Sequence, residues 1–214
     1  THGTDTIEET GYFLNLVVKT KKPVVLTAAM RPSTALSADG PLNFYNAVAV
    51  AANKDAAGRG VLVVVNDWIH GASSLTKAST TAVQTFLSPL RGLVGVVAYG
   101  EAEFYRGPVG RNTLDSEFSL DGVTALPRVD IVMAHANMDG AMIDGAAVAG
   151  AKGIVIAGVG NGNMTEAGLK ALAAQAKKGI VCVRSSRVVT GRVGRNVEVD
   201  DDKLGLIASD DLNP

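Results

Sequence analysis

Two residues near the start of the chain, Thr4 and Asp5 in the run THGTDTIEET, are of types that can do chemistry together. A turn from a strand into a helix presents a hydroxyl, a carboxylate and free backbone N–H groups at the positive end of the helix dipole. Anionic groups and developing oxyanions bind well at such a place. The same run also fits a capping box, either Thr6 with Glu9 or Asp5 with Glu8. The local pattern leaves both interpretations open.

A lysine in a loop of small and hydroxyl-bearing residues, Lys77 in GASSLTKASTT, is the second candidate. A loop lysine is normally solvated, and that is the default interpretation. If the loop folds back over the sheet, a partly desolvated lysine can instead act as a base towards a hydroxyl group.

Two further loops carry polar side chains. GVGNGNMTEAG joins a strand to a helix with the spacing G-x-G-x-G, and the next strand ends in VRSSR without an acidic residue, so the loop does not match a dinucleotide site. It is either a tight structural turn or a loop whose Asn161 and Asn163 amides reach a polar ligand. VEVDDDK holds Glu198 and Asp200–Asp202, which form either a solvated acidic turn or a group of carboxylates for a cationic substrate.

Composition and charge exclude several classes of function. The 214 residues have a net charge of −1 with scattered lysines and arginines, which argues against a nucleic-acid or anionic-membrane surface. No apolar run is long enough for a transmembrane helix. His2, His70 and His135 lack metal-ligand spacing, and we expect neither a metal nor a cofactor. Cys182, the single cysteine, is predicted to be a buried structural thiol.

The apolar pattern predicts an α/β fold of two domains with mainly parallel sheets, joined by a linker. We place the domains at residues 1–106 and 128–214 and the linker at residues 107–127. Continuous runs rich in alanine and valine are typical of strands buried on both faces. An antiparallel hairpin around Gly100 is the exception. Functional groups collect at the carboxyl ends of parallel strands, where Ala29–Met30 and Asn66–Asp67 fall.

Individual elements follow from the same pattern. The predicted helices cover residues 6–20, 39–52, 141–149 and 165–178, with Thr165 as the cap of the last. The chain starts on threonine, carries no signal peptide, and ends at DDLNP, where Asn213 and Pro214 fit an N-cap followed by proline at the first helical position. We therefore expect an internal segment of a longer protein, with the N-terminal domain incomplete.

Several motifs together resemble bacterial L-asparaginases, in particular the type II periplasmic group and its glutaminase-asparaginase relatives. The motifs are THGTDTIEET, AMRPSTALSADGPLNFYNAV, LTKASTT, GVGNGN, RSSRVVTG and VEVDDDK, in this order over essentially the whole chain. The resemblance implies hydrolysis of the side-chain amide of L-asparagine to L-aspartate and ammonia, with some activity on L-glutamine. One carbon is a small difference for a pocket, so the preference between the two substrates stays open.

The resemblance also implies roles for individual residues. Thr4 would activate water or the amide, with Lys77 as its base. Asp5 would accept from Lys77 and from the substrate α-ammonium group. A threonine hydroxyl is too weak an acid to act without a neighbouring base, so the set is chemically consistent.

Further residues are implied as substrate contacts. Ala29 would offer its backbone carbonyl near the leaving ammonia. Asn163 and Glu198 would reach the active site of a neighbouring subunit, which needs an intimate dimer, and family members are typically tetramers. The implied location is the periplasm, with the cytoplasm as the alternative.

The family's acylated threonine and its mobile loop would lie outside these 214 residues, so we expect the segment alone to hydrolyse no asparagine. Other classes stay open as alternatives. One is a two-domain amino-acid receptor without turnover, and another is the asparaginase-like subunit of a tRNA-dependent amidotransferase. A third is an inactive homologue kept for interaction.

Overall fold

The computed structural model describes residues 3–214, and the chain divides into two compact units, Thr1–Gly122 and Val123–Pro214. His2, considered above for metal binding, lies outside the described residues. Each unit has its own sheet and its own apolar core. No helix in the described part of the chain is both long and apolar enough to cross a membrane.

The first unit is built around a five-stranded sheet with a helix associated with each face. The helices are α1 (Ile7–Val17) and α2 (Gly40–Ala52). The sheet strands, in spatial order, are β1 (Val24–Leu26), β2 (Val61–Val65), β3 (Trp68–Gly71), β6 (Gly95–Ala98) and β7 (Glu101–Phe104). A separate ribbon pairs β4 (Thr76–Lys77) with β5 (Phe86–Leu87), and short 3-10 turns lie at Lys54–Ala56 and Thr113–Asp115.

Short connections make the first sheet mixed. Strands β1 and β2 are parallel, whereas β2, β3, β6 and β7 pair antiparallel in succession. Asn66 and Asp67 join β2 to β3 with φ of 48° and 64°, the geometry of a two-residue hairpin turn. These residues follow the carboxyl end of β2, as expected, and they also form the turn into an antiparallel neighbour. Tyr99 and Gly100 turn β6 into β7 in the same way, which confirms the predicted hairpin.

Strand β2 forms the centre of the first core and is buried along its whole length. Leu62 and Val64 point to one face and join a cluster with α2, whereas Val63 and Val65 point to the other and join Ile7 of α1. Burying each of these side chains contributes about 1.5–3 kcal/mol. The continuous apolar run is therefore a strand covered on both faces, as the sequence predicts.

The second unit is a parallel four-stranded sheet whose strands lie in sequence order. Its strands are β8 (Val129–Met133), β9 (Gly153–Gly158), β10 (Val181–Ser186) and β11 (Ile207–Ala208), and its helices are α3 (Ala141–Val148), α4 (Glu166–Lys177) and α5 (Asp201–Leu204). Thr165 caps α4 as predicted, because its hydroxyl accepts from the Gly168 N–H at 3.1 Å. The predicted α/β class is thus confirmed in both units, whereas the expectation of mainly parallel sheets is met in the second unit and is wrong for the first, where three of the four described pairings are antiparallel.

The second core lies between the sheet and helices α3 and α4. Right-handed crossovers that all move in one direction across a parallel sheet place their helices on the same face. Strand β8 is consequently buried on that face only, and Val129, Ile131 and Met133 are exposed on the other. The expectation of burial on both faces is wrong for this strand.

Candidate active site

One lysine brings the two N-terminal candidates together. The Lys77 ammonium donates to Thr4 Oγ1 at 2.8 Å and to Asp5 Oδ1 at 2.7 Å. Thr4 is 7% exposed and the Lys77 side chain 19%, whereas the Asp5 side chain is 93% exposed. The cluster therefore has a buried hydroxyl at one end and an open carboxylate at the other, with a largely desolvated cation between them.

The ribbon β4–β5 and helix α1 hold Lys77 in place. Lys77 pairs with Phe86 in the ribbon, and its backbone N–H donates to Glu8 Oε1 at 2.8 Å. Because Lys77 lies in a strand rather than in an open loop, the default expectation of a solvated loop lysine is wrong. The predicted capping box is also wrong: Thr6 is the N-cap residue of α1, but its side chain makes no capping bond. Asp5 and Glu8 contact Lys77 instead.

Charge and hydrogen bonding orient the groups around Lys77. The hydrogen bond from Lys77, together with its charge, lowers the pKa of the Asp5 carboxyl, so the carboxylate stays ionised. The Thr4 hydroxyl accepts from Lys77 and donates to the Met30 thioether, with 3.4 Å between Oγ1 and Sδ. A thioether is a weak acceptor, so the Thr4 proton is held only loosely.

Ala29 lies beside this cluster in the chain, in the segment that follows β1. It is bracketed by Ala28, which is buried, and by Met30, which contacts Thr4. In the first unit, hydrogen bonds thus link the side chains of Thr4, Asp5, Lys77 and Met30. Ala29 is the residue directly before Met30.

The remaining two candidates form a pair in the second unit. The Asn163 side-chain amide donates to Glu198 Oε2, and the Asn161 amide lies 3.5 Å from Glu198 Oε1. The loop is a tight turn as well, since Val159 and Asn163 exchange two backbone hydrogen bonds. Gly162 has a φ of +72°, and a Cβ there would come within 2.7 Å of Val193. The structural turn and the polar contact are therefore properties of the same loop.

Sequence reasoning missed the side chains that support this pair. Arg184, fully buried, donates to both oxygens of Asp201 at 2.6 and 2.8 Å. It also donates to the carbonyls of Asn161, Gly162 and Gly194, and so ties together the loops that carry Asn163 and Glu198. Asp201 is fully buried as well, so a solvated acidic turn is wrong for this residue. An arginine inside an apolar strand run was the signal available in the sequence.

The remaining candidate groups do not join a site. Cys182 is buried as predicted, and burial raises the pKa of its thiol to about 11. His70 is buried in β3 with its Nδ1 2.9 Å from Ser88 Oγ, and His135 lies in the second unit. Among residues 3–214 no group of three histidine, cysteine, aspartate or glutamate side chains is arranged to hold a metal ion.

Comparison with known families agrees with this organisation. A family model described as "Asparaginase, N-terminal" matches residues 1–110, and one described as "Glutaminase/Asparaginase C-terminal domain" matches residues 128–214. The chain belongs to the asparaginase family. The resemblance drawn from the sequence motifs is thereby confirmed.

Individual asparaginases match the whole of this chain. It is 52% identical to "Probable L-asparaginase periplasmic" of Haemophilus influenzae, over 61% of that protein. It is 50% identical to "L-asparaginase 2" of Escherichia coli, over 62% of that protein, and 46% identical to "Glutaminase-asparaginase" of Pseudomonas fluorescens, over 59%. The chain thus spans about three fifths of the length of these asparaginases.

Proposed function

We propose that the protein hydrolyses the side-chain amide of L-asparagine to L-aspartate and ammonia, and accepts L-glutamine as a second substrate. The observation that carries the proposal is the contact of one lysine ammonium with both Thr4 and Asp5. Membership of the asparaginase family and the names of its relatives, which include glutaminase-asparaginase, support the choice of reaction.

In this proposal Thr4 and Lys77 move the protons of the reaction. Lys77 acts as the base for the Thr4 hydroxyl, and Thr4 in turn takes a proton from the attacking water. The acylated threonine of the family, which we expect outside these 214 residues, first bonds to the amide carbon and passes its proton to the leaving ammonia as the carbon–nitrogen bond breaks. The water oxygen then bonds to the same carbon, the bond to that threonine oxygen breaks, and the threonine oxygen takes up the proton that the water gave. Asp5 balances the lysine charge and accepts from the substrate α-ammonium group.

Three further residues of this chain belong to the proposed site. The Ala29 carbonyl accepts from the substrate amide nitrogen as it becomes ammonia. The Asn163–Glu198 pair serves the site of a neighbouring subunit, where Glu198 contacts the substrate α-amino group. This arrangement requires a homo-oligomer, which we propose to be a tetramer of intimate dimers. We place the protein in the periplasm, in agreement with the name of the Haemophilus relative.

Ammonia release from L-asparagine and L-glutamine by the full-length protein tests the proposal. Thr4→Val and Lys77→Met each remove a proton-transfer group, and we expect kcat to fall by about 100-fold or more. Thr124→Val and Lys54→Met are matched controls, since both residues are exposed and neither lies in the cluster. These controls should retain wild-type turnover.

Undiminished turnover in Thr4→Val and Lys77→Met, with both proteins folded, would refute the mechanism. Stoichiometric binding of an amino acid without ammonia release would favour a receptor instead. Turnover that requires tRNA and a partner chain would favour an amidotransferase subunit.

A further inference from the structure

Asp39 stands at the start of helix α2 but does not cap it. An aspartate at this position normally accepts from the backbone N–H groups of the first helical turn. Here the side chain makes no such bond. Its Oδ2 accepts from the Met30 N–H and its Oδ1 from the Arg31 N–H, both at 2.9 Å. Instead of capping its own helix, the Asp39 side chain binds the backbone of residues that lie eight and nine positions earlier in the chain.

Asn43, one turn into α2, extends the same set of contacts. Its side chain is buried and its amide nitrogen donates to the Ala28 carbonyl at 2.9 Å and to Asp39 Oδ2 at 3.1 Å. Its amide oxygen accepts from the Asn66 N–H at 2.8 Å. The start of α2 is therefore linked to the ends of two neighbouring strands, β1 and β2.

These contacts fix the backbone on both sides of Ala29. The carbonyl before it is held by Asn43 and the N–H groups after it by Asp39. Gly40 also approaches Ala29 closely, since a Cβ at Gly40 would lie 3.3 Å from the Ala29 Cβ. The hydrogen bond from the Met30 N–H to Asp39 also fixes Met30, whose thioether accepts from the Thr4 hydroxyl. One carboxylate thus constrains two groups of the proposed site, the Ala29 carbonyl and the Thr4 hydroxyl.

We propose that Asp39 is a positioning residue for amide hydrolysis, which sets the direction of the Ala29 carbonyl and, through Met30, that of the Thr4 hydroxyl. The inference rests on the proposed function. Asp39 contacts no reacting atom and acts through the backbone of Ala28–Arg31. A displacement of about 1 Å in a reacting geometry can cost about 100-fold in rate, so loss of this contact should be visible in turnover.

The ionisation state of Asp39 fits this role. Burial raises the pKa of Asp39, but the hydrogen bonds from the Met30 and Arg31 N–H groups and from the Asn43 amide together lower it by more. The pKa of this carboxyl therefore lies below its ordinary value. The carboxylate is therefore charged at neutral pH, with both oxygens able to accept from the backbone.

Asp39→Ser is the sharpest test because serine is a good helix N-cap but too short to hold both the Met30 and Arg31 N–H groups. In the full-length protein we expect kcat for L-asparagine to fall at least about 10-fold, with KM changed much less and Tm retained. Hydrogen exchange at the Met30 and Arg31 amides should accelerate. Asp139→Ser is the control, since Asp139 is an aspartate near the start of another helix, is exposed, and accepts from the Ala141 N–H.

Each outcome decides the proposal. If Asp39→Ser fails to fold, Asp39→Asn, which keeps the side-chain volume but presents an NH₂ group to one of the two N–H donors, is judged by the same fall in kcat. A folded variant with kcat within twofold of wild type would overturn the positioning role and leave the proposed function intact. A wild-type protein without turnover would instead overturn the proposed function, and this role with it.

Discussion

The chemistry of individual residues in the candidate site depends on contacts with residues that are far away in the sequence. Lys77 lies 73 positions after Thr4, yet its ammonium is within hydrogen-bonding distance of the Thr4 hydroxyl. A lysine that is one-fifth exposed and contacts an ionised carboxylate has a different chemistry from a solvated lysine. The identity of Lys77 could be read from the sequence, whereas its desolvation could not.

His70 makes the stability of the first unit dependent on pH. Burial lowers its pKa from 6.5 to about 4, and its Nε2 has no hydrogen-bond partner among the described residues. Between pH 6.5 and 4 the unfolded chain binds a proton that the folded chain does not. The free energy of unfolding therefore falls as the pH drops through this window, by about 3 kcal/mol in total for this group.

The fluorescence of Trp68 offers a local readout, because it is the single tryptophan of the chain and its ring centroid lies 6.0 Å from that of His70. Urea unfolding would be followed at pH 7 and pH 4.5 in the wild type and in His70→Gln. We expect the variant to be less stable at pH 7 but to lose less stability on acidification. Equal losses in the two proteins would contradict the assignment to His70.

At the scale of elements, hydrophobic period and end signals were sufficient for the long helices and strands. The period of α4 and its threonine cap were both recognisable from TEAGLKALAAQAKK, and the two-faced burial of β2 from its unbroken apolar run. The two-residue strands β4 and β5 were not predictable, since two residues show no period. Their pairing depends on which segments the rest of the fold brings alongside each other.

The cap of α4 makes a prediction at this scale. The Thr165 hydroxyl accepts from the Gly168 N–H and donates to the Met138 carbonyl at 2.6 Å, so it joins the helix start to the segment after β8. Thr165→Ala should lower the free energy of unfolding by about 1–2 kcal/mol. Thr165→Ser keeps both hydrogen bonds and should remain close to wild type. Urea unfolding monitored by circular dichroism would measure both variants, and equal stability of the two would argue against the cap.

At the scale of the whole molecule, buried charge in the second unit connects segments that the sequence separates. Arg184 of β10 contacts Asp201 of α5 and the carbonyls of three loop residues, all without exposure of either charged side chain. Burial raises the pKa of the Asp201 carboxyl, but the Arg184 hydrogen bonds, the Asn196 N–H and the Arg184 charge together outweigh it, and the pKa lies below its ordinary value. Such a pair is costly to break from one side because the remaining charge stays buried and unpaired.

Asp201→Asn should therefore destabilise the second unit by about 3–5 kcal/mol. The exposed pair Arg192–Asp210 provides a matched control, and Arg192→Met should leave stability nearly unchanged. Hydrogen exchange of the amides in β9 and β10 would report on this unit separately from the first. Equal protection of these amides in Asp201→Asn and Arg192→Met would contradict the role of the buried pair.

The sequence by itself determined the α/β class, the long elements, the family and the identities of the residues proposed for the site. These properties depend on local periodicity, helix-end signals and motifs, so they can be predicted without knowledge of the fold. Only the tertiary structure decided that Lys77 contacts both Thr4 and Asp5, that Asp39 binds the Met30 and Arg31 backbone instead of capping its own helix, and that Arg184 and Asp201 are buried together. Each of these is a choice between local and remote hydrogen-bond partners. That choice depends on which partners the fold brings within hydrogen-bonding distance and on which groups remain solvated. Neither can be predicted from the residues next to them in the sequence.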